Sequence, residues 1–173
     1  MDTVQSSKTT VMSFEAAADT WEAVGSKGFS DGHPVTYTSL SVYNGIPYVA
    51  YREHTQDAFF NDYYKITVMS FEAGSGAWVP VGSPGFSAGD VNYTTINVYQ
   101  GIPYVAYMDV ANGNKTTVMK YNEAANTWEV VGIAGFSDGG ADYVSLFISE
   151  GIPYVAYMDE INGFKATVMK YGP

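Results

Sequence analysis

Three times the chain places a tyrosine at the head of an alternating apolar run: Tyr37 in YTSLSVY, Tyr93 in YTTINVY and Tyr143 in YVSLFIS. Ahead of each lies a Gly-Phe-Ser phrase. These phrases supply Phe29, Ser30 and Asp31, then Phe86 and Ser87, then Phe136, Ser137 and Asp138. Aromatic faces beside hydroxyls and carboxylates are what a saccharide site requires, a flat apolar surface with directional hydrogen bonds. The competing assignment gives each phenylalanine to packing between neighbouring units and each glycine to a turn. Asp109 and Asp159, in MDVANGN and MDEINGF, add a carboxylate to two of the three repeats. A calcium loop of the EF-hand kind would need oxygen ligands at six spaced positions. Aspartate opening a tight turn, with glycine in the left-handed position, accounts for these segments without a metal. No metal site or cofactor is expected.

One further group stands apart. The segment HTQDAFFNDYY carries Phe59, Phe60, Tyr63 and Tyr64 where the other copies have a short turn. It reads either as an aromatic contact loop or as a longer hairpin folded back on itself. His33 and His54 are the only histidines, neither recurs, and both read as loop residues of the first unit. No serine sits in a GxSxG elbow, and cysteine is absent, so thiol chemistry and disulfides are excluded.

The elements that must position these residues are strands. The chain has 173 residues, 46% hydrophobic and 16% aromatic, with 15 tyrosines and 18 glycines, a composition for an ordered β-rich domain. Its net charge of −10 argues against neutralising nucleic-acid phosphates; it permits a cationic ligand or a metal ion, and solubility accounts for it without either. No apolar run approaches the roughly 18 residues of a membrane helix, and MDTVQSSK lacks a leader's apolar stretch. Neither membrane nor nucleic acid is expected as a partner, and the compartment is not legible.

Repetition dominates the chain. KTTVMSF, KITVMSF, KTTVMKY and KATVMKY open at Lys8, Lys65, Lys115 and Lys165, and GIPYVAY recurs at 45, 101 and 151. Each unit of about 50 residues resolves into four short strands joined by three tight turns and one long glycine-rich link. Trp21, Trp78 and Trp128 sit on fourth strands, and Met12, Met69, Met119 and Met169 on third strands; all read as packing between units. Hairpins followed by one longer crossing are the pattern of a β-propeller blade. The predicted fold is therefore all-β, built of four-stranded antiparallel blades.

Two families share these phrases. KYNEAANTW at 120–128 resembles a kelch repeat, although Ala-Tyr stands where kelch has its double glycine. WVPVGSPGFSAGDVNYTTINVYQGIPYVAY is similar to a tachylectin-type lectin blade, with Gly-Phe-Ser in place of the lectin Gly-Trp. The resemblance implies a propeller fold and, from the lectin side, glycan binding at the loop face. Within the repeat, third and fourth strands are expected at 8–25, complete units at 36–82 and 92–132, and a first-to-third set at 142–171. That is one domain of three blade equivalents, fewer than the four to eight of closed propellers. The expectation is a ring completed head to tail by further copies, two giving six blades and three giving nine. One third strand, 8–14 or 165–171, is then surplus. The expected function is non-enzymatic self-assembly with lectin-like binding. The alternatives are a purely structural excised or engineered propeller fragment and, less favoured by near-identical repeats, a sialidase-type hydrolase at the channel mouth.

Overall fold

The computed structural model describes residues 7–30 and 34–172. Alternating residues interrupted by Asn44-Gly45, Gln100-Gly101 and Glu150-Gly151 fold into hairpins at each pair. All six of these residues have φ between 48° and 82°, the left-handed conformation that matches the twist of paired strands. Thirteen strands follow among the described residues, with a single turn of 3-10 helix at Val110–Asn112. All pair antiparallel.

Two sheets have four strands in sequential order. One holds β3 (Val35–Tyr43), β4 (Ile46–Gln56), β5 (Asp62–Glu72) and β6 (Ala77–Pro80). The other holds β7 (Val91–Tyr99), β8 (Ile102–Asp109), β9 (Lys115–Asn122) and β10 (Thr127–Val130). A three-stranded sheet follows, of β11 (Ala141–Ser149), β12 (Ile152–Asp159) and β13 (Lys165–Lys170). Before them all stands a two-stranded sheet, β1 (Met12–Glu15) with β2 (Thr20–Ala23).

The sheets lie face against face, and each interface is a separate apolar core. Val49, Tyr51 and Trp78 meet Val11 and Phe29. Ile66 and Val68 meet Ile96, Val105 and Tyr107. Tyr104, Ala106 and Val118 meet Leu146, Ile148 and Val155. The first strands β3, β7 and β11 run side by side at the inner end of the stack. Among the described residues no further sheet covers the outer face of the two-stranded or of the three-stranded sheet. In β8 every residue but the first is buried, whereas β12 alternates buried with half-buried and β1 is exposed throughout.

The links fold back on the third strand of their own unit. Val81 and Phe86 donate their N–H groups to the carbonyls of Val68 and Ile66, at 2.9 and 3.1 Å. Val131 and Phe136 bond in the same way to Val118 and Thr116. Gly25 and Gly82 make room for this packing. A Cβ on Gly25 would lie 2.8 Å from the Phe71 ring, and one on Gly82 would lie 3.1 Å from both Tyr121 and Trp128.

Candidate functional site

At the start of each first strand the ladder slips. The register shifts between Thr36 and Ser39, between Asn92 and Thr95, and between Asp142 and Ser145. Tyr37, Tyr93 and Tyr143 sit inside these bulges, each at φ 51°. A bulky residue with positive φ is an outlier that costs about 1–3 kcal/mol, and such strain gathers where a side chain must be re-aimed. Here it turns three phenol rings into one row. The Tyr37 and Tyr93 centroids are 5.1 Å apart, and those of Tyr93 and Tyr143 are 4.9 Å apart, all tilted. Tyr143 closes the row with 67% of its surface exposed. Burial pushes the Tyr93 phenol above its ordinary value, and Asp142 and the flanking phenols push it further, so this hydroxyl stays a donor.

Arg52, the chain's one arginine, completes the row. Its guanidinium lies 4.8 Å from the Tyr37 centroid and 4.7 Å from that of Tyr64. Nε donates to Thr36 Oγ1 at 2.8 Å, and Nη1 donates to Asn92 Oδ1 and Val91 O. The charge is therefore fixed in place by two aromatic faces and three acceptors, an arrangement worth about 0.5–2 kcal/mol per face. Sequence reasoning missed this residue. The signal was present: Arg52 faces Thr36 where Met108 faces Asn92 and Met158 faces Asp142. Thr36, Asn92 and Asp142 thus form a polar strip below the tyrosines, with a different residue in each unit.

The other candidates divide. Phe29 lies flat on Trp78 and Phe86 flat on Trp128, with centroids 4.3 Å apart in both pairs, so these rings belong to the cores. Phe136 packs into the third core. Ser30, Ser87 and Ser137 are buried. Each accepts the N–H of a third strand, from Thr9, Ile66 and Thr116, and Ser87 and Ser137 donate to Gly89 O and Gly139 O. They hold the link and are not presented to the surface. Asp138 is exposed beside them. Asp31, like His33, lies outside the described residues.

Asp109 and Asp159 are buried beneath their turns. Asp109 accepts from Asn112 and Thr117 at 2.9 and 2.8 Å; Asp159 accepts from Asn162 and Thr167 at 2.7 and 3.0 Å. The Asn162 amide is the main reason the Asp159 carboxyl sits below its usual value. Glu53 does the same work in the first unit, accepting from Thr67 at 2.6 Å.

The insertion forms paired strand as far as Gln56↔Asp62, so Tyr63 and Tyr64 stand within β5. Asp57 ties the tip: Oδ1 accepts from the N–H groups of Phe59 and Asn61, and Oδ2 from Asn61 Nδ2 and Tyr63 OH. Phe59 and Phe60 remain more than 80% exposed on that tip. Tyr64 reaches the tyrosine row through Arg52, whereas the two phenylalanines stand away from it.

No family model matches the sequence, and no curated protein matches it. Among solved structures the fold is similar to that of YjhT, with a TM-score of 0.57 and 13% identity over 95% of this chain. The chain spans 58% of the length of that structure. At this identity the likeness concerns the fold alone: an all-β chain of successive antiparallel sheets.

Proposed function

We propose that this is a non-enzymatic β-propeller repeat protein that closes its ring by joining head to tail with further copies, and that its tyrosine row binds a saccharide. The single observation that carries the reading is the pair of unequal ends. One end presents a sheet of three strands and the other a sheet of two, each with an uncovered apolar face, around two complete four-stranded sheets. Uncovered edges and faces of this kind favour a further sheet laid against them. A heterologous contact between the two ends closes when its rotation divides the circle, and two copies supply six blades.

The tyrosine row, Arg52 and the Thr36–Asn92–Asp142 strip support a binding role. Stacked phenols offer the flat faces of a sugar, and the strip offers its hydroxyls both donors and acceptors. One residue type repeated around the row suits binding, because catalysis needs different groups converging in acid, base and nucleophile roles. A second, purely structural reading is favoured by the fate of the Gly-Phe-Ser links, whose aromatic and hydroxyl groups are consumed in packing. Light scattering and a glycan array separate the parts. Twice or three times 18.8 kDa is expected in solution, with binding that falls at least tenfold in Tyr143→Ala. A particle of 18.8 kDa removes the ring, and silence across the array leaves only the structural reading.

A further inference from the structure

The chain makes one contact twice and holds the two halves of a third. At each inner interface the tryptophan of a fourth strand lies on the phenylalanine of the preceding link, Trp78 on Phe29 and Trp128 on Phe86. The indole N–H donates to a link carbonyl, Val24 O at 2.9 Å and Val81 O at 3.0 Å. An aromatic residue of the third strand, Phe71 or Tyr121, tilts against the same indole. At the three-stranded sheet the corresponding residues are Val131, Phe136 and Tyr171. With Val155 and Met169 they line an apolar cavity of about 180 Å³. At the opposite end Trp21 is 65% exposed, tilted on Phe14.

We propose that Trp21 of a second copy of this chain fills that cavity, with its indole N–H on Val131 O, and that β13 replaces β1 as the strand beside the incoming β2. This deepens the ring reading and rests on it. It also decides which of the two equivalent third strands is surplus.

Three observations choose β13. The first is charge. β10 faces β9 with Trp128 opposite Tyr121 and Glu129 opposite Lys120. Laid on β13 in that register, β2 sets Trp21 opposite Tyr171 and Glu22 opposite Lys170, whereas within the chain Glu22 faces Ser13. Opposite charges across a strand pair favour the former. The second is the threonine. Thr67 and Thr117 each accept a link N–H, from Gly85 and Gly135 at 2.8 Å, while donating to Glu53 or Asp109. Thr167 already donates to Asp159 in this way, leaving its acceptor side for Gly28 N–H. Thr10 accepts from Gly28 with no carboxylate beside it among the described residues. The third is anchorage. β13 is paired along its length with β12, from Tyr154↔Lys170 to Asp159↔Lys165, whereas β1 pairs with β2 alone. Displacing β1 breaks its ladder with β2, the link bonds from Val24, Phe29 and Val35 to Val11, Thr9 and Ser7, and the Val11 packing. The equivalent residues 164–168 can supply all of these again, whereas displacing β13 breaks a sheet with nothing to replace it.

The test uses engineered cysteine pairs, unambiguous because the chain has no cysteine of its own. Glu22→Cys with Lys170→Cys, oxidised at micromolar protein, should run at two or three times the chain mass on a non-reducing gel, matching the wild-type particle. Glu22→Cys with Ser13→Cys should leave uncrosslinked chains. Trp21 is exposed in the single chain, so Trp21→Ala should fold unchanged by circular dichroism and associate at least tenfold more weakly. If the wild-type chain is multimeric but the Glu22/Ser13 pair closes within one chain, β1 keeps its place and this inference is overturned while the ring stands. An association unmoved by Trp21→Ala overturns it as well. A wild-type chain that scatters as a single copy sinks inference and ring together.

Discussion

The same sequence phrase has two fates in this molecule. In β9, KTTVMKY lies between neighbours, and Val118 and Met119 are 3% and 9% exposed; in β13, KATVMKY leaves Val168 and Met169 at 67% and 38%. The tryptophans diverge likewise, Trp78 buried and Trp21 open. Local sequence is nearly constant, so the difference lies in what is stacked on each sheet. Burial here is a property of position in the stack, and a repeat at the end carries the apolar payload of a repeat in the middle without its return. Burying a side chain such as Val168 is worth about 1.5–3 kcal/mol, so the uncovered ends are a considerable unspent driving force.

The sharpest break in this comparison is at the tryptophans. Trp78→Ala removes a buried ring and the hydrogen bond to Val24, and should cost about 3–5 kcal/mol in urea unfolding. In dilute, single-copy conditions Trp21→Ala should cost no more than about 0.5 kcal/mol. Equal losses would mean that the end sheet is covered in the single chain after all.

A smaller effect is expected where the link meets the third strand. Ser137→Ala leaves the Thr116 N–H and Gly139 O without their hydroxyl, and should cost about 1–3 kcal/mol. Ser30→Ala, in the link that leaves the two-stranded end, should cost less, because β1 can fray from a sheet with one partner. Matching values from paired denaturation curves would contradict the unequal anchorage of the two regions.

The smallest effect concerns acid. The Asp159 carboxyl lies below its usual value of 3.8 in the folded chain. A depressed value stabilises the fold above the unfolded value, and that contribution disappears as pH falls through the folded one. Melting curves of Asp159→Asn and wild type should therefore differ near neutrality, and the gap should shrink as pH falls below 3.8 and through the lowered folded value. A gap that stays constant into acid would show that the carboxylate charge contributes nothing there.

Much of the architecture was readable in advance because strands and hairpins are local. Glycine following Asn44, Gln100 and Glu150 dictates left-handed two-residue turns, and alternation in YTTINVY or YVSLFIS dictates a strand with two faces. The site was less legible. Tyr37, Tyr93 and Tyr143 could be placed at strand starts, but the bulge that brings them together depends on a register slip against the second strand. The Gly-Phe-Ser residues looked like surface chemistry because a link is usually exposed; these links instead bend back onto the third strand and bury their serines. Arg52 stood in a strand where its neighbours have methionine, and only the stacking of two sheets brings it within reach of Asn92.

By itself, then, the sequence determined the repeat, the strand order within each unit and the turns, all set by side chains a few residues apart. Tertiary structure decided which copies of the same phrase are buried, which tyrosines meet, and which third strand is anchored by a second. Those outcomes depend on neighbouring sheets, and a repeating sequence assigns every copy the same local preferences wherever it stands in the stack.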